Sequence, residues 1–228
     1  MSRTTEALRR TAAHWPALVA GGGVLAAGSP WPAASWFVAS RLSYIGYVGI
    51  SLSAENRRGA RSGDRGAVWA RFHSRASWMM DNDAVAFIAL CLGTAGAFPP
   101  EIPMSSAIVA GSLLCVIGVG VKVWAAASLP VGGYYWRDFF LPPEPQALVA
   151  EGPYRWISNP MYTVGYAHAY GLALALRSGP GLAAAAFAQA SILLLHFLVE
   201  RPHIRNLRTR ESTLAEARES AEAPDPVP

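Results

Sequence analysis

Between Gly152 and Tyr162 the chain reads Gly-Pro-Tyr-Arg-Trp-Ile-Ser-Asn-Pro-Met-Tyr, which sets two prolines, an arginine and three aromatic rings directly before a long apolar run. Glu200 closes the final apolar run. A carboxylate bordering lipid needs a cation, and Arg155 or a positively charged ligand would supply it. Pro160 sits where a first helical turn tolerates a missing N–H, and such a turn leaves free amides that suit an anionic group such as a carboxylate. His196 and Glu200 are four residues apart and share one helix face, with His203 three further along but beyond Pro202. His, Glu and His at such spacing can ligate zinc or iron. No metal is expected, because Pro202 disrupts that geometry and no second carboxylate–histidine pair occurs on another helix. The plain alternative is a helix end whose polar residues meet water.

Composition decides the solvent in which these groups must work. Hydrophobic residues make up 52% of the 228 and charged ones 15%, whereas a soluble domain is about a quarter charged. The chain is an integral membrane protein. Its basic balance is almost all arginine, with Lys122 the only lysine, and the basic residues lie in short loops between apolar runs. Nucleic acid is therefore excluded as a partner. The arginine bias fits a GC-rich genome, and a bacterial inner membrane is the expected location. Cys91 and Cys115 each fall inside an apolar run and read as core packing.

A spanning helix needs about 20 apolar residues, and the fold class expected is all-α, a polytopic transmembrane bundle of about six spans with no Rossmann domain. The spans are Ala12 to Gly28, Trp31 to Leu52, Ala84 to Phe98, Ser105 to Leu129, Met161 to Leu176 and Gly181 to Val199. Gly21 to Gly23 make the first the weakest, and its basic start mimics a signal peptide. Ser53 to Asp83 reads as one loop carrying Arg57, Arg58, Arg61, Arg65, Arg71 and Arg75, cytoplasmic by the positive-inside rule. An even count puts both termini on that side. Arg41, awkward at depth, must snorkel or pair inside the bundle. Residues 1–83 are read as N-terminal helices with the basic loop, 84–210 as the core, and 211–228 as a tail that begins as an amphiphilic helix and ends disordered. The aromatic segment Val131 to Phe140, with Arg137 and Asp138, is either an interfacial belt or a lid over the site.

Gly152-Pro153-Tyr154-Arg155, then Asn159-Pro160-Met161-Tyr162, then a helical hairpin ending Glu200-Arg201-Pro202, resembles the membrane methyltransferases of the isoprenylcysteine carboxyl methyltransferase and phospholipid methyltransferase superfamily. The resemblance covers about Lys122 to Arg208. It implies an S-adenosylmethionine site built from the cytoplasmic ends of the last helices, with Arg155, Asn159, Pro160 and Tyr162 lining the cofactor and Glu200 holding its amino group or ribose. The faces of Tyr154 and Tyr162 suit its cationic groups. If the acceptor is an amine it must lose a proton, and His196 is the best-placed group to take it. Ser158 stands where the family has arginine, and Arg201 replaces a second glutamate.

These readings lead to an S-adenosylmethionine-dependent membrane methyltransferase acting on a lipid or other hydrophobic small molecule that enters from the bilayer. A phospholipid amine and an isoprenoid-type carboxylate are both open as acceptors. Two alternatives come from other classes: a non-catalytic membrane subunit that keeps the fold, and a metal-dependent membrane oxidoreductase built on His196, Glu200 and His203.

Overall fold

The computed structural model describes residues 30–58, 64–98, 102–129, 133–142 and 151–222, all helices, turns and short connections, with no strand among them. The first expected span, Ala12 to Gly28, lies outside the described residues. Helix α1 (Pro30–Arg58) begins at the proline pair. Pro30 and Pro32 occupy its first turn, where an absent N–H costs nothing, so the prolines start this helix. Its buried positions Ala33, Phe37, Arg41, Tyr44, Val48, Leu52 and Glu55 recur every three or four residues and form one face.

The expected loop from Ser53 to Asp83 is mostly helix. Helix α1 runs to Arg58, and α2 (Arg65–Gly93) starts once Asp64 has accepted a hydrogen bond from the Ala67 amide at 3.0 Å. Arg71 and Arg75 are exposed on α2, while Phe72, Ala76, Asp83, Phe87 and Leu90 are buried at helical spacing. The arginines hid that period. The expected span Ala84 to Phe98 is thus the second half of α2, and the boundary drawn at residue 83 falls inside one helix.

Helix α3 (Met104–Ala127) matches its expected span closely. It turns Ala107, Gly111, Gly118 and Ala125 inward and leaves Ile108, Val109, Leu113, Val116, Val119 and Val123 exposed. A continuous bare apolar face of this kind belongs in hydrocarbon. Helix α4 (Ala167–Ala175) packs against it with backbones in contact: a methyl group added at Gly111 or at Gly171 would lie 2.5 Å from the other's carbonyl oxygen. Small residues permit this approach, as at many membrane helix interfaces.

The expected fifth span, Met161 to Leu176, is shortened. Residues 160–163 form a turn and Val164–Tyr166 a 3₁₀ turn, so only nine residues remain for α4. At about 1.5 Å per residue it reaches only about half the depth of the hydrocarbon. Ser178 then caps α5 (Gly179–Leu195) by accepting from the Gly181 amide at 2.8 Å, and its hydroxyl meets that of Thr94 at 2.6 Å, tying α5 to the end of α2.

Pro202 does not break the last helix. It has no N–H for the Leu198 carbonyl, and a single π turn (His196–Glu200), in which the Arg201 amide bonds to the His196 carbonyl, absorbs the defect. The helix continues as α6 (Arg201–Glu222), so the first part of the tail is helical, while residues 223–228 lie outside those described. Where about six spans were expected, two helical stretches among the described residues, Met104–Ala127 and Gly179–Thr209, are long and apolar enough to cross a membrane. Helices α1 and α2 have the length, 29 residues each, but are less apolar along it.

Candidate active site

The π turn places Glu200 at the junction of α5 and α6, 7% exposed and surrounded by the chain's own donors. Trp136 Nε1 donates to its Oε1 at 2.6 Å, and the Tyr162 hydroxyl donates to the same oxygen at 2.9 Å. His196 Nδ1 lies 2.9 Å from Oε2. With a carboxylate as partner, Nδ1 carries the proton, and a neutral imidazole then presents Nε2 as an acceptor. The Tyr162 and His196 rings meet edge to face at 6.0 Å. A carboxylate, an oriented imidazole and a phenol are thus held together at the π turn that joins α5 to α6.

Trp136 reaches Glu200 only because its backbone is left-handed, with φ 57°. For a bulky residue that conformation costs about 1–3 kcal/mol, and the surroundings must hold it in place. They do so from several sides. Arg65 donates to the carbonyls of Phe140 and Phe139 at 2.5 and 3.2 Å. The His203 ring stacks on Phe139 at 3.7 Å between centroids, while its Nδ1 sits 2.8 Å from Asn56 Oδ1. Tyr134 donates to Met80 Sδ at 3.7 Å, and burial pushes its hydroxyl up to about 12, so it stays a donor. The segment 133–142 is therefore a clamped cover over the end of the bundle, and His203 serves that clamp. Among the described residues no group of His, Cys, Asp and Glu is arranged to hold a metal.

The other expected site residues divide into two sets. Tyr154 is half-buried near Glu200, and burial, then the Glu200 charge, pushes its hydroxyl up to about 12. Gly152, with φ 55°, makes the turn that brings it there; a side chain at that position would run into Ser128. Asn159 is buried and shapes the next turn, its Oδ1 accepting from the Tyr162 amide at 3.2 Å and its carbonyl from the Thr163 hydroxyl at 2.6 Å. Pro160 is fully buried, and its carbonyl accepts from the Gly165 amide at 2.8 Å. No helix starts at Pro160, and the amides of Tyr162, Thr163, Gly165 and Tyr166 are taken within the turn, so the expected open amide site is largely closed. Arg155 is exposed, its guanidinium 5.7 Å from the Trp156 ring, rather than paired with Glu200. Ser158 and Arg201 are also exposed.

Trp136 and Tyr162 have a second role as walls of a cavity of about 210 Å³ between α1, α2, α3, α4 and α5. Apolar side chains such as Phe87 and Ile192 make up much of its lining, with Arg41, Asp83 and Lys122 among them. Arg41 pairs with Asp83, so the arginine that sequence placed at depth has its partner inside the bundle.

Comparison with known proteins bears on this part of the chain. Residues 106–208 match the family model described as phospholipid methyltransferase. A phosphatidylethanolamine N-methyltransferase of Candida albicans is 38% identical over 101 residues, 43% of this chain and 11% of that protein. One from Candida tropicalis is 37% identical over 101 residues, 43% of this chain and 12% of the relative, and one from Lodderomyces elongisporus is 29% identical over 143, covering 60% and 16%. The chain thus spans between about a tenth and a sixth of the length of these curated relatives. They are yeast proteins and lend no support to a bacterial membrane. No solved structure matches. Glu200, Tyr162, His196, Asn159 and Pro160 all fall within residues 106–208, and that stretch of the chain is similar to the phospholipid methyltransferase family, in support of the superfamily of isoprenylcysteine carboxyl and phospholipid methyltransferases.

Proposed function

We infer that the protein is an integral membrane methyltransferase that uses S-adenosylmethionine to methylate a lipophilic acceptor, a phospholipid amine first among the candidates. The observation that carries this reading is the Glu200 cluster: a buried carboxylate with aromatic donors and an oriented imidazole, at the end of an apolar helix and sharing two walls with a cavity. The residues present fit the cofactor. Oε2 of Glu200 accepts from His196 alone among the described residues and keeps a lone pair for a ligand ammonium. The rings of Trp136, Tyr154 and Tyr162 offer faces to positive charge. Asn159 and Pro160 act by holding Tyr162 in register. Arg155 sits at the rim, where it meets an anionic group arriving from water.

S-adenosylmethionine, when bound, supplies a methyl group on a sulfonium for in-line displacement. The chain's contribution is alignment and dryness, and holding two reactants in line is worth about 7–11 kcal/mol. The clamped segment 133–142 excludes water on one side. His196, its Nδ1–H fixed on Glu200, directs Nε2 outward to take a proton from an amine acceptor; a carboxylate acceptor would need no such base. By this reading both termini lie in the cytoplasm.

Membranes containing the protein, incubated with methyl-labelled cofactor, should yield a labelled lipid that is absent when Glu200→Gln replaces the wild type. Binding of S-adenosylhomocysteine with no labelled product across the membrane lipids would instead favour a non-catalytic member.

A further inference from the structure

The cavity holds more charge than its walls neutralise. Arg41 is 6% exposed and Asp83 4%, and they pair with each other. Yet Arg41 Nε and Asp83 Oδ1 are buried without a hydrogen-bond partner among the described residues. Lys122, the third charged residue lining the cavity, has no carboxylate within ion-pair distance among the described residues, and its ammonium rests 5.3 Å from the Tyr166 ring. Among the described residues the lining therefore counts two cations against one carboxylate.

Buried polar atoms are almost always paired, and a buried charge without a counter-ion is costly. A ring face compensates an ammonium only in part. What the cavity lacks is one negative charge with oxygen acceptors for Arg41 Nε and Lys122 Nζ. A divalent metal ion would add to the excess, and a neutral amphiphile would leave it in place. The anion has to come with an apolar body, since Phe87, Ile88 and Leu172 also line the space. Asp83 Oδ1 then offers an acceptor to any N–H or O–H carried beside the anion.

We propose that this cavity is an anion subsite for the methyl acceptor, in which Arg41 and Lys122 hold the single negative charge of an amphiphile, a phosphodiester or a carboxylate. Arg41 and Asp83 lie outside the stretch matched by the family model and Lys122 lies within it, so the subsite joins a residue of that stretch to two from the preceding helices. The proposal deepens the methyltransferase reading and rests on it for the word acceptor. Lipids without an anionic group are then excluded as substrates, and the acceptor's anion is held in the cavity that Trp136 and Tyr162 wall.

The test uses the full chain purified in a neutral detergent. Binding is measured for dihexanoyl phosphatidylglycerol, dodecanoate and the neutral monododecanoylglycerol, and separately for S-adenosylhomocysteine. The two anionic probes, or one of them, should bind at least tenfold more tightly than the neutral one, and the stronger identifies the phosphodiester or carboxylate source. Lys122→Met should weaken the anionic probe at least tenfold and leave S-adenosylhomocysteine within about twofold. Equal binding of neutral and anionic amphiphiles to the wild type would overturn the proposal, and that comparison stands even if the variant does not fold. So would a Lys122→Met protein that loses S-adenosylhomocysteine as strongly as amphiphile, since the charge would then serve the cofactor. Selective binding of anionic amphiphile by a protein that never binds S-adenosylhomocysteine would retain the subsite and sink the methyltransferase reading instead.

Discussion

Glu200 and Asp83 are buried carboxylates of one bundle, 7% and 4% exposed, and they are served in opposite ways. Glu200 has ring-borne hydrogen-bond partners on both oxygens, delivered by three separate segments of chain, and a clamped cover above it. Asp83 has a full countercharge in Arg41 but keeps one oxygen bare. The donors from Trp136 and Tyr162 bring no countercharge, which on the proposed function suits a group that attracts a cationic ligand. A salt bridge cancels charge and mainly secures two helices, α1 and α2. On the proposed function the first arrangement serves recognition and the second architecture, with the proposed anion subsite adding recognition where Lys122 joins it.

Breaking the architectural pair should have the largest effect. Asp83→Ala leaves Arg41 buried without its partner and should cost about 3–5 kcal/mol, read as a fall in the denaturant midpoint of the detergent-solubilised protein. Adding Arg41→Met should recover most of the loss; failure to recover would mean the carboxylate does more than neutralise the arginine. Glu200→Gln comes next, with methyl transfer falling about a hundredfold, equivalent to about 2.7 kcal/mol, while helical circular dichroism is kept. An unchanged rate in that variant would reduce the cluster to a structural knot. Trp136→Phe keeps the ring and removes the N–H, and a lost hydrogen bond to a charged group, about 1.5–3 kcal/mol, should cost about tenfold in S-adenosylhomocysteine affinity. Arg155→Ala should change that affinity by no more than about fivefold, because exposed charges act weakly through water; a larger loss would move Arg155 from the rim to the centre of the site.

Much of the Glu200 side was legible from order along the chain. His196 and Glu200 are a local pair, and the Gly-Pro-Tyr-Arg and Asn-Pro-Met-Tyr stretches announced Tyr154, Asn159 and Tyr162 by their kinship to a family. Trp136 was hidden within a segment that read equally well as an aromatic belt or a lid, because its bond to Glu200 joins positions 64 apart. Arg41 was visible as a charge in want of a partner. Asp83 was not visible as that partner, since six arginines made Ser53 to Asp83 look like a loop and masked the spacing of Phe72, Ala76, Asp83, Phe87 and Leu90. Pro160 and Pro202 misled in opposite directions. One looked like a helix start and lies in a turn, while the other looked like a break and lies within a continuous helix.

That continuity has a consequence for how such a site is aimed. Each residue of an α-helix advances about 100° around the axis, so the extra residue accommodated between His196 and Glu200 swings everything after it by roughly that angle relative to an unbroken rod. The lipid-facing half, with Leu194 exposed, and the inner half, with His203 against Phe139, therefore obey different compass bearings on one stem. Removing a single residue there would leave the stem as long and as apolar as before, and point its chemistry at the wrong neighbour.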